Sequence, residues 1–167
     1  MTDDKTLIHQ GNLISLHKER VELANDKETY FDIVSHPGGA VIAAFNERNE
    51  VCILKQWRHA VGEEIWEFPA GCIDEGEKPL SGAKRELEEE AAILAGSWKS
   101  LGTIYATPGY SNEVLHLFSA HDLSQGTLNL DEAEELEAHW LPIEQVRTMA
   151  KSGTISDAKT LALLARL

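Results

Sequence analysis

The chain has 167 residues, enough for one domain with a full core, and its 43% hydrophobic and 26% charged residues are typical of a folded globular protein. Its net charge of −13 argues against a nucleic-acid partner, because binding to a phosphate backbone needs a basic surface. No apolar run is long enough to cross a bilayer, and the acidic N-terminus lacks the features of a secretory signal. Cys52 and Cys72 are interpreted as free thiols, so we expect a cytoplasmic protein without membrane attachment.

The first 36 residues alternate apolar and polar positions in two runs, 13–23 and 29–36, with a turn-like segment at 24–28 between them. This pattern predicts an antiparallel hairpin that forms an appendage, residues 1–36, to a main domain of residues 37–167. Two strands alone are marginally stable in water, so the appendage must pack on something, such as a second copy of the chain.

The main domain alternates strand-like and helical segments. A second hairpin is predicted from 40–45 and 51–57, joined by the turn "NERNE". Pro79 and a stripe of apolar residues at helical spacing predict one clear helix over 79–91. Further strands are predicted at 64–68, 98–107, 113–120 and 136–142, and further helices at 143–150 and 157–166. Strands on either side of a central helix, closed by another helix, predict an α/β fold with a sheet between helices.

Acidic residues are concentrated in two short stretches. Segment 62–93 holds ten of the 28 Asp and Glu residues, and 131–137 holds five more. Glu86, Glu89 and Glu90 lie at i, i+3 and i+4, so their carboxylates share one face of the predicted helix. Three hard oxygen ligands suit a divalent cation such as Mg²⁺, although a solvated helix face would carry the same pattern, since like-charge pairs cost only about 0.2–0.5 kcal/mol each.

The residues around these acids resemble the Nudix box, Gly-x5-Glu-x7-Arg-Glu-U-x-Glu-Glu-x-Gly-U, in which U is a bulky aliphatic residue. Eight of its nine specified positions match: Gly71, Glu77, Arg85, Glu86, Leu87, Glu89, Glu90 and Ile93. The ninth asks for a glycine and has Ala92. Glycine there would permit a left-handed turn as the helix ends, whereas alanine in that conformation costs roughly 1 kcal/mol, unless the helix ends in another way.

The resemblance implies the Nudix α/β/α sandwich with a mixed sheet, and a hydrolase of nucleoside diphosphates linked to another group. It implies that Glu86, Glu89, Glu90 and the carbonyl of Ala70 bind Mg²⁺ or Mn²⁺. Glu89 is also a catalytic candidate. Arg85 would orient the helix acids, or would only pair with Glu89 one turn away. Gly71, Glu77 and Arg85 are then structural members of the motif.

Segment 55–71, "KQWRHAVGEEIWEFPAG", is similar to the run that leads into the box in the ADP-ribose pyrophosphatase and nucleotide-sugar branch of the family. The resemblance implies that Arg58 clamps phosphate oxygens, for which its planar guanidinium is suited. A surface arginine at a strand end is the alternative. Glu67 would reach the substrate or metal region, or would be an ordinary charge on an edge strand.

Two later segments are similar to the same branch. "PGYSNE", opening at Pro108, implies that Gly109 lets the backbone approach the ligand and that Glu113 accepts hydrogen bonds from ribose hydroxyls; an ordinary Pro-Gly turn is the alternative. "DEAEELEAHWLP" is similar to the acidic loop that supplies the general base. It makes Glu134 the first candidate and Glu132 the second, on a loop able to swing over substrate.

The N-terminal hairpin is similar to the small sheet that such enzymes exchange across a homodimer. Tyr30 or Phe31 could then stack on the base of the substrate, or could pack in the interface. The resemblance favours hydrolysis of ADP-ribose to AMP and ribose 5-phosphate. GDP-mannose or another nucleotide sugar is the alternative substrate, and a catalytically silent nucleotide-sensing module is an alternative of a different class. The seven histidines form no close pair at the spacing of zinc ligands, so no zinc site is expected.

Overall fold

The computed structural model describes residues 5–130 and 135–167. The strands are β1 (Lys5–Gln10), β2 (Ser15–Glu22), β3 (Glu28–Ser35), β4 (Gly39–Ala44), β5 (Glu50–Arg58), β6 (Glu63–Glu67), β7 (Ala70–Cys72), β8 (Ile93–Tyr105), β9 (Val114–Gln125) and β10 (Leu136–Pro142). The helices are α1 (Pro79–Ala91), α2 (Ile143–Ser152) and α3 (Ala158–Leu164). Within the described ranges, every helix is too short or too polar to pass through a bilayer.

Two sheets and three helices form the predicted α/β/α sandwich. The mixed sheet has the order β7-β4-β9-β8, with β4 parallel to β9 and antiparallel to β7. The second sheet has the order β10-β5-β6 and is antiparallel. Along β4, Ala40 and Ile42 join the core beneath α1, whereas Val41 and Ala43 join the core beneath α2 and α3. β4 is therefore buried on both faces, which explains its continuous apolar sequence.

The predicted hairpin of residues 40–45 and 51–57 is wrong, although both strands exist. The turn closes as expected, with the Asn46 amide donating to the Glu50 carbonyl at 3.0 Å. Beyond a single bridge between Phe45 and Val51, however, the two strands separate into different sheets. Both edges of β4 pair with β7 and β9 instead, and a strand has only two edges. Local sequence specifies each strand but not its distant partner.

The helix prediction over 79–91 is confirmed at both ends. Pro79 occupies the first position, and Leu87 is fully buried against β4 and β8. The predicted helices at 143–150 and 157–166 correspond to α2 and α3, and the Asp157 side chain caps α3 by accepting from the Thr160 amide at 2.9 Å. The short strand β7 was not predicted.

The N-terminal sheet has three strands, in the order β1-β2-β3, rather than the two predicted. β1 was missed because "KTLIHQ" was interpreted as part of a polar N-terminus. Every residue of β1 is exposed, and several large apolar side chains of this sheet are also exposed: Leu7, Ile8, Val21, Tyr30 and Phe31. Hydrogen bonds from Val34 and His36 to the loop at 110–112 join the sheet to the main domain.

Candidate functional site

A cleft of about 670 Å³ opens where β4, β7, the end of β5 and α1 meet. Its charged lining residues are Arg58, Asp74, Arg85, Glu86, Glu89, Glu90, Glu113 and Lys159. His36, Cys72 and Asn129 also line it, together with the apolar side chains of Leu13 and Leu115. The cleft therefore collects residues from both ends of the chain and from the middle of the sequence.

The three carboxylates predicted as metal ligands all line this cleft. Glu86 and Glu90 are 9% and 2% exposed, and Leu87 between them points into the core. A solvated acidic face would leave such side chains in water. Burial of an ionised carboxylate is unfavourable unless charged or hydrogen-bonding partners compensate for lost hydration. The surrounding groups therefore determine whether this arrangement is stable.

Arg85 supplies much of that compensation. Its Nη1 donates to Glu86 Oε1 at 2.7 Å and to Glu89 Oε2 at 2.9 Å, while its Nη2 donates to the Cys72 carbonyl at 2.8 Å. The same guanidinium binds Glu77 at 3.1 and 3.3 Å, and this contact holds the pKa of Glu77 below its usual value. Arg85 thus ties α1 to β7, and its pairing with Glu89 is one part of a larger network.

Gly71 and Ala70 bring β7 close to the helix acids. A Cβ placed on Gly71 would overlap the Glu86 carboxylate, so only glycine allows this approach. The Ala70 amide donates to Glu90 Oε2 at 2.9 Å. These contacts explain the glycine of the motif in physical terms. The Ala70 carbonyl as a metal ligand stays a prediction.

Arg58 also lines the cleft, and Glu67 lies behind it. Glu67 is 1% exposed, and it accepts from Arg58 Nε at 2.6 Å and from Arg58 Nη2 at 2.7 Å. Lys159 Nζ contacts the same carboxylate and lies 2.9 Å from Asp157 Oδ1. Burial alone would raise the pKa of Glu67, but Arg58 and Lys159 outweigh burial and lower it. Glu67 therefore holds two cations in place and is not itself on the cleft wall.

Lys159 was missed by sequence reasoning. It lies in the segment "SDAKT", where Asp157 signals a helix N-cap, but 92 residues separate it from Glu67. Nothing in the local pattern predicts that contact. His36 was also missed as a cleft residue, because the histidines were considered only as zinc ligands.

The loop at 107–113 contributes Glu113 to the cleft but not Gly109. No described atom lies within 4 Å of a Cβ placed on Gly109, so the fold by itself does not require glycine there. The Ser111 amide donates to the Thr107 carbonyl at 2.9 Å, which closes the turn. The predicted contacts of Gly109 and Glu113 with a ligand stay predictions.

The remaining predicted residues lie away from the cleft or outside the described residues. Tyr30 and Phe31 are exposed on β3 and do not line the cleft of their own chain. Glu132 and Glu134 fall in 131–134, which lies outside the described residues. On either side of that segment, the Asn129 amide donates to the Glu89 carbonyl at 3.0 Å and the Glu135 carbonyl accepts from the Trp57 amide at 3.0 Å.

Neither cysteine is activated for chemistry. Both are free thiols, as predicted. Burial, with a contribution from Glu90, raises the pKa of Cys52 to about 12. Burial, together with Glu86 and Glu113, also raises the pKa of Cys72. Thiolates are the reactive form, so neither side chain is a candidate nucleophile.

A divalent cation fits the donor set of the cleft. Glu86, Glu89 and Glu90 supply hard carboxylate oxygens from one helix face, which is the ligand chemistry that Mg²⁺ and Mn²⁺ prefer. Across residues 5–130 and 135–167, no three acidic, histidine or cysteine side chains are already grouped closely enough to hold an ion. Arg85 and the Ala70 amide donate to one oxygen of each of the three carboxylates.

The fold and the motif-bearing cleft together define the class of this protein. A sequence profile of the family described as NUDIX domain matches residues 35–164, and the chain belongs to this family. Nudix hydrolases generally use divalent metal ions.

Individual relatives are similar over most of their length. An ADP-ribose pyrophosphatase of Bacillus subtilis (strain 168) is 35% identical, with 93% of this chain and 85% of the relative covered. A methanol dehydrogenase activator of Bacillus methanolicus is 32% identical, with 95% of this chain and 89% of the relative covered. A GDP-mannose pyrophosphatase of Citrobacter koseri is 32% identical, with 80% of this chain and 74% of the relative covered. A crystal structure of an ADP compounds hydrolase superposes with a TM-score of 0.83 over 99% of this chain and 93% of the other; at 18% identity it supports the fold alone.

Proposed function

We propose that this chain hydrolyses the diphosphate bond of ADP-ribose to give AMP and ribose 5-phosphate, with Mg²⁺ as the metal ion. The observation that carries the proposal is one cleft in which three carboxylates of α1 face two cations, Arg58 and Lys159. The relatives named as ADP-ribose pyrophosphatases, from Bacillus subtilis and from Mycobacterium tuberculosis, support this choice of substrate.

The charges of the cleft favour a substrate that arrives with divalent cations. Five carboxylates and three cationic side chains line it, so a bare diphosphate would meet a surface of its own sign. Cations between the helix acids and the phosphate oxygens reverse that repulsion. Mg²⁺ commonly binds through a few carboxylates and substrate phosphates, which is the arrangement proposed here.

Arg58 and Lys159 are the proposed contacts on the phosphate side. Glu67 occupies Nε and Nη2 of Arg58, while Nη1 makes no hydrogen bond to a described residue and is directed to the substrate in our proposal. A guanidinium held by two hydrogen bonds needs little reorganisation when a phosphate oxygen arrives. Because Glu67 is buried, we assign it the role of holding Arg58 and Lys159 rather than of touching substrate.

The metal site is proposed at Glu86, Glu89, Glu90 and the Ala70 carbonyl, and a bound Mg²⁺ would neutralise phosphate charge and make a coordinated water more acidic. A carboxylate in the acidic loop, Glu134 before Glu132, is the proposed general base. The anchoring of Asn129 to Glu89 and of Glu135 to Trp57 supports this role, because both flanks of the loop are attached to elements of the cleft.

A homodimer in the cytoplasm is the proposed state of the protein. The exposed apolar side chains of the N-terminal sheet support dimerisation, since a sheet with so little buried surface gains stability from a second copy. Tyr30 and Phe31 do not line the cleft of their own chain, so they could stack on the substrate base only in a partner's site. Molar mass by light scattering, with Leu7→Asp and Ile8→Asp as disrupting changes, tests the dimer.

A nucleotide sugar such as GDP-mannose is the second candidate, favoured by the relatives named as GDP-mannose pyrophosphatases. The purified chain should be incubated with Mg²⁺ and each of ADP-ribose, ADP-glucose, GDP-mannose and capped RNA, and the products identified. We expect AMP and ribose 5-phosphate from ADP-ribose at the highest kcat/KM. Absence of turnover on all four compounds, with tight nucleotide binding, would favour the silent sensor instead.

A pair of isosteric variants makes this experiment specific to the site. Glu90→Gln should lower kcat by at least about 100-fold, because loss of a few kcal/mol of metal charge stabilisation corresponds to two or more powers of ten. Glu88→Gln is the matched control on the same helix. Glu88 lies outside the cleft, and its carboxylate accepts from the Thr127 amide at 3.3 Å. The activity of the Glu88→Gln variant should therefore stay near that of the wild type. Equal activities of the two variants would refute the metal assignment.

A further inference from the structure

Asp157 lies at the start of α3, and its two carboxylate oxygens make different contacts. Oδ2 accepts from the Thr160 amide at 2.9 Å and thereby caps the helix. Oδ1 lies 2.9 Å from Lys159 Nζ. A serine would also cap the helix, but its side chain has only one oxygen. The second oxygen of Asp157 therefore makes a contact that the cap does not require.

The start of α3 is attached to the segment that carries Glu67. The Phe68 amide donates to Thr160 Oγ1 at 2.9 Å, and Thr160 is fully buried. Next to that contact, Lys159 Nζ reaches the buried Glu67 carboxylate. The side chains of Lys159 and Asp157 are themselves only 17% and 13% exposed. The ammonium group is therefore held between two enclosed carboxylates on a rigid support, as expected for a group that positions a ligand.

The Lys159 ammonium keeps one donor for the cleft. An ammonium group has three N–H donors, and two of them are directed to Glu67 and Asp157. Among residues 5–130 and 135–167, no third group accepts from Lys159. Because Lys159 lines the cleft, its remaining donor is available to a ligand there. The long lysine side chain would otherwise sample many orientations, and the two carboxylates restrict it before a ligand arrives.

Lys159 and Arg58 present their donors at the same place. Arg58 Nη2 donates to Glu67 Oε2 at 2.7 Å, and Lys159 Nζ contacts that same oxygen. The two cationic nitrogens are therefore neighbours, and their remaining donors suit one phosphate group, which carries several acceptor oxygens. Asp157 also affects Arg58 at longer range, since the pKa of Arg58 is raised chiefly by hydrogen bonds to Glu67, with a smaller electrostatic contribution from Asp157.

We infer that Asp157 is a positioning residue, which holds the Lys159 ammonium through Oδ1 so that Lys159 and Arg58 bind one phosphate group of the substrate together. This inference rests on the proposed function and deepens it, because it adds the residue that orients one of the proposed phosphate contacts. Asp157 itself does not line the cleft, so it acts through Lys159 and not by touching substrate.

Two substitutions separate the positioning role of Asp157 from its role as a cap. In Asp157→Asn, the single amide oxygen can cap the helix, but no second oxygen is left to accept from Lys159. Asp157→Glu retains a carboxylate for Lys159. Asp122→Asn is the matched control, since it makes the same change of net charge at an exposed position outside the cleft. kcat and KM for ADP-ribose are measured with Mg²⁺ on the full chain, below the Tm of every variant.

We expect Asp157→Asn to lower kcat/KM about three- to tenfold, the factor that corresponds to one weakened hydrogen bond. Asp157→Glu should retain more of kcat/KM than Asp157→Asn, and Asp122→Asn should match the wild type. Lys159→Met should cause a larger loss than Asp157→Asn. Adding Asp157→Asn to Lys159→Met should cause no further loss, because Asp157 acts through Lys159.

Two results would overturn the inference while leaving the proposed function intact. The first is a wild-type kcat/KM in Asp157→Asn. The second is an equal loss from Asp157→Asn in the wild type and in Lys159→Met, which would mean that Asp157 only caps α3.

If the wild-type chain turned over no ADP-ribose, the proposed function would fail, and calorimetric titration of inorganic pyrophosphate with Mg²⁺ would test the inference separately. Asp157→Asn should then weaken pyrophosphate binding about three- to tenfold, but only when Lys159 is present. Equal affinities of the wild type and Asp157→Asn would contradict the positioning role. Absence of pyrophosphate binding to the wild type would overturn the phosphate contact itself.

Discussion

Replacing Ala92 with glycine should stabilise the protein, because Ala92 ends α1 in the left-handed conformation, with φ 54° and ψ 38°. An L-residue in that conformation costs about 1–2 kcal/mol. Glycine adopts it without that cost but loses about 0.4–1 kcal/mol more conformational entropy on folding. The net gain for Ala92→Gly is then about 0.5–1 kcal/mol.

For a chain of this size, 1 kcal/mol shifts Tm by about 2–4 °C, so Ala92→Gly should raise Tm by about 1–4 °C. Ala91→Gly is the matched control, since the same chemical change falls on the last residue of α1. Glycine inside a helix costs about 0.5–1 kcal/mol, so Tm should fall in that variant. Thermal unfolding followed by circular dichroism in metal-free buffer measures both. A Tm at or below wild type for Ala92→Gly would refute the strain at this position.

The other predictions concern the cleft. Gly71→Ala should displace the Glu86 carboxylate and lower kcat with an unchanged far-ultraviolet spectrum; wild-type activity would mean that Glu86 has room to move. Arg58→Lys should lose the paired hydrogen bonds to Glu67 and reduce kcat/KM by about tenfold or more, measured on ADP-ribose; an unchanged value would remove Arg58 from the phosphate contacts. Because Arg58 and Lys159 lower the pKa of Glu67 in the folded state, its stabilising contribution is complete above the unfolded pKa of about 4.3 and is lost as pH falls through the folded value. The difference in urea midpoint between wild type and Glu67→Gln should therefore shrink as pH is lowered from about 5 to 3, and a constant difference would contradict this pairing.

The helices and the positions of most strands along the chain could be predicted because local sequence determines them. Pro79 and the apolar stripe fix α1, and a continuous apolar run marks β4. The pairing of β4 could not be predicted in the same way. Its neighbour β9 lies some 70 residues further along the chain, and a parallel pairing leaves no local turn to signal it. Sequence-adjacent strands usually pair, and here that general tendency gave the wrong neighbour for β5.

The acidic part of the cleft was predicted because helical spacing brings its members together, whereas the basic part depends on tertiary contacts. Arg58, the last residue of β5, was predicted only through the family resemblance, and Lys159 lies on the last helix, where only the fold brings it to Glu67. Glu67 itself was expected near the substrate. In "EIWEF", Glu67 is flanked by apolar residues. This local sequence does not reveal that two cationic side chains contact its carboxylate. Burial of a carboxylate becomes apparent only when its partners are located.

The placement of the acids on α1 is opposite to what helix stability would favour. The first turn contains no acidic residue and the last turn contains no basic one, although Glu88, Glu89 and Glu90 lie in that last turn. The helix dipole makes this end partially negative, so each carboxylate there costs about 0.3–1 kcal/mol. Glu86 and Glu90, at i and i+4, add about 0.2–0.5 kcal/mol of repulsion. Arg85 offsets part of this cost through its hydrogen bonds to Glu86 and Glu89, and Glu90 accepts a hydrogen bond from the Ala70 amide and interacts electrostatically with Arg58. Moving the acids to the Pro79 end would stabilise the helix, so their position agrees better with the proposed binding of a divalent cation than with helix stability.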